Sequence, residues 1–265
     1  MNFGGSVEGK KDISTLFESD KIFSYPKSTS FVQTLMSTLQ DNQLIVLDFF
    51  SGSATTAHAV MKLNAEDGGH RKFIMVQLPE KCDENSEAYK AGYKNICEIG
   101  KERIRRAGKM ILEEKKSSSG DLFKDKNSDL DIGFRVLKLD SSNMAEIYYK
   151  PDELQQERII DVVTNIKFGR TPEDLLFQVM LDLGVLLSSK IDTINVNGNK
   201  VFNVNNGYLL ACFDSRVGEE TVTEIAKMNP IHFVMRNDAV ASDSMMTNFD
   251  QIFTRFSPET SRKVL

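Results

Sequence analysis

Residues Leu44-Ile45-Val46-Leu47-Asp48-Phe49-Phe50-Ser51-Gly52-Ser53-Ala54-Thr55-Thr56-Ala57-His58-Ala59-Val60 read as a buried strand, a small-residue turn and the opening of a helix. Four consecutive aliphatic residues without polar alternation suit a strand covered on both faces, as in a parallel α/β sheet. Asp48 falls where such a strand ends, and ligands of open α/β sheets bind at that carboxyl end. Ser51, Gly52, Ser53 and Ala54 carry little side chain, so the backbone can approach a ligand, and Thr55 and Thr56 open a helix whose free N–H groups favour an anion. Asp48 is placed to accept from an ammonium or a hydroxyl. The turn has one glycine where the dinucleotide fingerprint wants two, and nothing at its third position, which disfavours NAD.

Around this stretch the composition is ordinary. The 265 residues are 40% hydrophobic and 27% charged, enough for one large or two small domains with real cores. No stretch approaches the roughly 18 apolar residues of a membrane span. The start Met1-Asn2-Phe3-Gly4-Gly5 has no signal-peptide pattern, so a cytoplasmic location is expected. Cys82, Cys97 and Cys212 form no Cys-x-x-Cys pair, and His58, His70 and His232 have no ligand spacing, so neither metal nor disulfide is expected. A net charge of -5 gives no global attraction to nucleic acid; DNA contact would need a local basic face or a partner.

Residues through Lys11 are polar and glycine-rich and read as a loop entering from something upstream. After Tyr25-Pro26-Lys27-Ser28, the residues Phe31, Val32, Leu35, Met36 and Leu39 repeat at helical spacing, with hydroxyls at Ser28 to Ser30 for capping. Past a turn at Asn64 to Arg71, Lys72 to Glu80 reads as a second buried strand ending in an acid. From position alone Glu80 is either an acceptor for ribose hydroxyls or a solvent-exposed turn residue. Between Ser86 and Lys116 apolar residues keep helical spacing beside Lys101, Arg103, Arg105, Arg106 and Lys109, which read as a phosphate-binding face or as a solvated face with internal ion pairs. The polar run from Ser117 to Asp129 is the clearest linker. Beyond it, Gly133 to Leu139 alternates as a half-buried strand, and Thr171-Pro172-Glu173-Asp174 starts an amphipathic helix. Asn197-Gly198 marks a hairpin, and Gly207 to Asp214 and Ile231 to Arg236 add strands.

The run Asp48 to Thr56 resembles the first motif of the amino-methyltransferases of DNA, Asp-x-Phe-x-Gly-Ser-Gly-Thr-Thr, with Ala54 in place of its second glycine. If that position requires positive φ, alanine costs roughly 1 kcal/mol there. Tyr25-Pro26-Lys27 ahead of a helix is similar to the motif that closes over the cofactor. The stretch from Asp48 to Glu80, with Glu66-Asp67-Gly68-Gly69, and the stretch from Tyr93 to Ala107 resemble the modification subunit of type III restriction-modification systems. Thr171 to Leu176 and Cys212-Phe213-Asp214 are similar to that family's C-terminal region.

The resemblance implies a partial Rossmann-like, S-adenosylmethionine-dependent methyltransferase sheet over residues 1–116, a linker over 117–129 and a small α/β C-terminal domain over 130–265. It implies S-adenosyl-L-methionine as cofactor, held by Asp48, Phe49, Phe50, Ser51, Gly52, Ser53, Ala54, Thr55 and Thr56 at the methionine end and by Glu80 at the ribose, with Lys27 and Ser28 over the same pocket. The family methylates adenine N6 with an Asp-Pro-Pro-Tyr loop that grips a flipped-out base. The six prolines here include no adjacent pair, so no catalytic residue is assigned. The expectation is the C-terminal portion of a longer protein, inactive alone. Its implied partners are the missing N-terminal half, DNA through the complete assembly, the restriction subunit, or a second copy of itself; the alternative is a non-catalytic assembly module for the restriction subunit.

Overall fold

The computed structural model describes residues 5–118, 130–145, 166–239 and 243–265. Of the linker expected over 117–129, Ser117 and Ser118 are helical, and residues 119–129, like the chain start through residue 4, lie outside the described residues. The chain forms two compact units, Met1–Phe134 and Arg135–Leu265, each mixed α/β. The boundary differs from the sequence reading because Leu130, Ile132 and Phe134 pack on the core of the first unit.

The first unit opens with α1 (Ser6–Phe17), where the sequence suggested a loop through Lys11. Ile13, Leu16 and Phe17 are buried, at the spacing that puts them on one helix face. The glycine that disguised the helix has a packing reason: a Cβ on Gly9 would lie 2.2 Å from the Pro26 carbonyl oxygen, so α1 rests directly on the Pro26–Lys27 backbone. Ser28 then caps α2 (Thr29–Ser37) by accepting from the Phe31 amide. In α2 the buried side chains are Thr29, Gln33 and Met36, whereas Leu35 faces outward, as does Leu39 beyond the helix, in contrast to the expected stripe.

Strand β1 (Ile45–Asp48) pairs in parallel with β2 (Lys72–Met75), Val46 opposite Phe73 and Asp48 opposite Met75, and α3 (Thr55–Asp67) makes the crossover. At its far end Arg71 locks the turn, pairing through both amino groups with Asp67 at 3.0 and 2.8 Å while its backbone exchanges two hydrogen bonds with Asn64. β2 stops at Met75, short of the expected end at Glu80; the next five residues include Pro79, which has no N–H for a ladder. Helix α4 (Glu87–Lys90) and helix α5 (Ile96–Ser118) are separate, with Gly92 at φ +97° breaking the run that the spacing suggested.

Among the described residues of this unit, one face of the sheet is covered. Val46, Phe73 and Met75 turn toward α2, α3 and α5. Ile45 and Leu47 are 59% and 56% exposed, and Ile74 and Val76 are 49% and 48% exposed. The expectation that β1 is covered on both faces therefore fails within the described residues of this unit, which contain no second layer for it.

The second unit begins without the strand expected at Gly133 to Leu139; Leu139 is fully exposed, and no ladder partner reaches this run among the described residues. Helix α6 (Pro172–Asp182) starts as expected, with a complete capping box between Thr171 and Asp174 and proline in the first turn. Strands β3 (Ile191–Val196), β4 (Asn199–Val204), β5 (Leu209–Cys212), β6 (His232–Met235) and β7 (Ser261–Val264) form one sheet in that order. The first two joins are antiparallel and the last two parallel. Asn197 and Gly198, both at positive φ, make the predicted hairpin between β3 and β4. Alternate residues bury on opposite faces: Leu209, Ala211 and Val234 with α6, and Leu210, Cys212, Phe233 and Met235 with α7 (Glu219–Lys227) and α8 (Asp243–Phe256).

Candidate cofactor site

The site is built on the turn between β1 and α3. Both oxygens of Asp48 hold the turn closed: one accepts from the Phe50 amide at 3.2 Å, the other from the Thr56 hydroxyl at 2.6 Å. A carboxylate offers about four acceptor positions, so Asp48 keeps capacity for a ligand donor. The Ser51 amide donates to the Val76 carbonyl at 3.2 Å, and the Gly52 amide to the Gln77 side chain at 2.8 Å, which ties the turn to the segment after β2.

Gly52 and Ala54 both take left-handed backbone, with φ of 50° and 60°. At Ala54 this costs about 1 to 2 kcal/mol for a residue with a Cβ. The methyl recovers part of that by burial, since Ala54 is almost fully enclosed in the core shared by α1, α3 and α5, and its Cβ sits where Gly100 leaves room. As N-cap of α3, Ala54 supplies no side-chain acceptor to the first N–H groups of the helix. Phe49 and Phe50 project outward beside the turn, with ring centroids 5.4 Å apart and Phe50 80% exposed.

The segment around Lys27 meets the same helix start. The Thr55 hydroxyl donates to the Lys27 carbonyl at 3.4 Å, while the Lys27 side chain is exposed. Ser28 is buried and spent on structure, donating to Glu8 at 3.0 Å in addition to its cap. Glu80 is exposed; its carbonyl accepts from the Ile96 amide at 3.0 Å, which places the residue at the start of α5 rather than at a strand tip.

Several residues with a part in this site were not singled out in the sequence. Glu8 and Asp12 of α1 anchor the start of α2, Asp12 accepting from the Thr29 amide at 2.8 Å. Gln77 braces the turn. Arg103, taken from the sequence as part of a basic face, is wholly buried; its guanidinium donates to Ser53 at 2.8 Å, Thr55 at 2.6 Å and Thr29 at 3.1 Å. Burial lowers its pKa from the usual value to about 10, with Asp12 acting in the opposite sense. His58 lies beside it, with Nδ1 3.4 Å from the Thr29 hydroxyl, and burial together with the Arg103 and Lys62 charges lowers its pKa to about 3. Arg105 and Arg106 pair with Glu102 on the same helix, and Arg106 also donates to the Leu16 carbonyl at 3.0 Å. Three of the five basic residues read from this helix thus have partners inside the unit.

No protein-family model matches the chain. It is similar to the type III restriction-modification enzyme StyLTI Mod subunit of Salmonella typhimurium, 44% identical over 121 residues, covering 46% of this chain and 18% of that protein. It is 31% identical over 181 residues to the type III EcoPI Mod subunit of Escherichia phage P1, covering 67% of this chain and 25% of that protein. It is also 36% identical over 93 residues to the type II methyltransferase M.KpnI of Klebsiella pneumoniae, covering 35% and 22%. The chain therefore resembles a portion of a type III Mod subunit, and it spans a quarter or less of the length of these relatives.

Proposed function

We propose that this chain is the cofactor-binding, C-terminal portion of a type III restriction-modification DNA methyltransferase, which transfers the methyl group of S-adenosylmethionine to adenine N6 in a specific DNA site. The observation that carries the reading is the turn after β1: an acid locked to both ends of a tight loop, two left-handed residues and an uncapped helix start. Such a turn offers an acceptor for the ammonium of the methionine moiety and N–H groups for its carboxylate. Glu80 takes the ribose hydroxyls, and the Lys27–Ser28 segment lies over the pocket. The bound cofactor supplies the methyl group; the residues here bind and orient it.

The remainder of the enzyme, upstream in sequence, contributes the Asp-Pro-Pro-Tyr loop and the DNA-recognition region, extends a Rossmann-like sheet from the free edge of β1 and covers the bare face of β1 and β2. DNA and the restriction subunit are then partners of the complete cytoplasmic assembly. A second reading, a non-catalytic module that assembles with the restriction subunit, is favoured by one observation: the chain has no Asp-Pro-Pro-Tyr.

Calorimetry with S-adenosylmethionine tests the assignment on the chain joined to its upstream half. Asp48→Ala and Glu80→Ala each lose about tenfold to a hundredfold in affinity, as expected for a charge-assisted hydrogen bond. Unchanged affinity in both variants contradicts the site.

A further inference from the structure

Helix α2 has its own cap, the Ser28 hydroxyl, which accepts from the Phe31 amide. Yet the same helix start is gripped a second time, from α1. The Glu8 carboxylate accepts from the Ser28 hydroxyl at 3.0 Å and from the Ser30 hydroxyl at 2.8 Å. Asp12, one turn along the same face of α1, accepts from the Thr29 amide at 2.8 Å. Between these acids Gly9 lies directly against the Pro26–Lys27 backbone, where a Cβ would overlap the Pro26 carbonyl. Acids at a helix start favour the helix, but one cap suffices for that, and the glycine contact falls on the segment ahead of the helix.

Helix α1 is in turn fixed to α5. Ile13, Leu16 and Phe17 share a core with Ile99, Ile104 and Ala107. Arg106 donates to the Leu16 carbonyl at 3.0 Å, and its guanidinium lies over the Phe17 ring, 4.9 Å from the centroid. From the same helix Arg103 donates to Thr29, Ser53 and Thr55. The residues from Pro26 to Ser30 are therefore held by α1 and α5 together, while Tyr25 and the Lys27 side chain stay exposed. The Lys27 carbonyl meets the Thr55 hydroxyl at the start of α3.

We propose that α1 is a clamp on the Tyr25–Ser28 segment, with Glu8, Gly9 and Asp12 as positioning residues that fix how this segment stands over the ligand at the turn after β1. The proposal rests on reading that turn as an S-adenosylmethionine site and adds the element that keeps its cover in place. Its physical content is a population: a ligand that needs the segment in one position binds in proportion to the time the segment spends there. Loosening the clamp lowers affinity without removing a ligand contact, and a bound ligand in turn holds the segment.

Binding and proteolysis of one variant, made in the chain joined to its upstream half, separate a clamp from mere support. Glu8→Ala removes both hydroxyl contacts. Its affinity for S-adenosylmethionine falls about tenfold, the size of one charge-assisted contact, while its affinity for DNA stays within about twofold. Trypsin cleaves the Lys27–Ser28 bond of the variant faster than that of the unsubstituted protein, and saturating S-adenosylmethionine slows the cleavage. Glu8→Gln, whose amide oxygen still accepts, keeps part of the affinity. A lower melting temperature with unchanged S-adenosylmethionine affinity would mean that α1 only supports the fold, and equal losses for S-adenosylmethionine and DNA would mean general damage. Unchanged cleavage after Lys27 would mean that the segment is held without Glu8. Each of these results overturns the clamp and leaves the site reading intact; failure of the unsubstituted protein to bind S-adenosylmethionine overturns both. Should Glu8→Ala not fold, Gly9→Ala carries the comparison, because alanine favours the helix but wedges it away from Pro26. A selective loss of S-adenosylmethionine affinity in that variant supports the clamp, and an unchanged affinity refutes it.

Discussion

The two sheets of this chain are built from similarly apolar strands and finished differently. In the second unit, β5 and β6 bury alternate residues on both faces, under α6 on one side and α7 with α8 on the other. In the first, β1 and β2 have the same alternation but one covered face, leaving Ile45, Leu47, Ile74 and Val76 half exposed. A parallel sheet ordinarily has both faces covered. The contrast separates a sheet whose two faces are both buried from one that leaves a face exposed among the described residues, with the exposed pair Phe49 and Phe50 at the end of β1.

The sharpest way to break this comparison is to make one substitution in both sheets. Leu210→Ala removes a side chain enclosed in the second core and should cost about 2 to 5 kcal/mol in the unfolding of that unit. Leu47→Ala, on the bare face of β1, should stay within about 0.5 kcal/mol in the chain alone. Denaturant melts followed for each unit would decide it, and similar costs would mean that Leu47 is already covered.

A pH-dependent effect comes from His58. Its folded pKa of about 3 lies below the ordinary value of 6.5, so between these pH values the unfolded chain binds the extra proton. The first unit is thus stabilised fully above pH 6.5 and loses that contribution as the pH falls toward 3. His58→Gln should flatten this dependence over the same window, with that of the second unit unchanged. An identical pH profile in the variant would show that His58 is not held neutral.

What the sequence made legible follows the same division between local and distant causes. The β1 turn, the Asn197-Gly198 hairpin and the Thr171 capping box are readable because the residues that form them are adjacent in the chain. Helix α1 is not, because Gly5, Gly9 and the Lys10-Lys11 pair dilute its pattern, and the reason for Gly9 lies at Pro26. The end of β2 and the missing strand at Gly133 to Leu139 depend on ladder partners, which local alternation does not reveal. Arg103 carried a usable signal: positions 96, 100, 103, 107 and 111 form one helical stripe, and a lone cation on such a stripe points inward. Its partners, Thr29, Ser53 and Thr55, are far away in sequence and become visible only once the chain is folded.

Hydrogen exchange tests the half-finished sheet most directly. In the chain alone, amides of Leu44 to Asp48 should exchange much faster than those of Leu209 to Cys212, because the outer edge of β1 has no ladder partner among the described residues while β5 is paired on both sides. Joining the upstream half should bring the β1 amides to core-like protection and leave β5 unchanged. Equal, core-like protection of both strands in a monodisperse monomer would contradict the account, since β1 would then be an already completed strand.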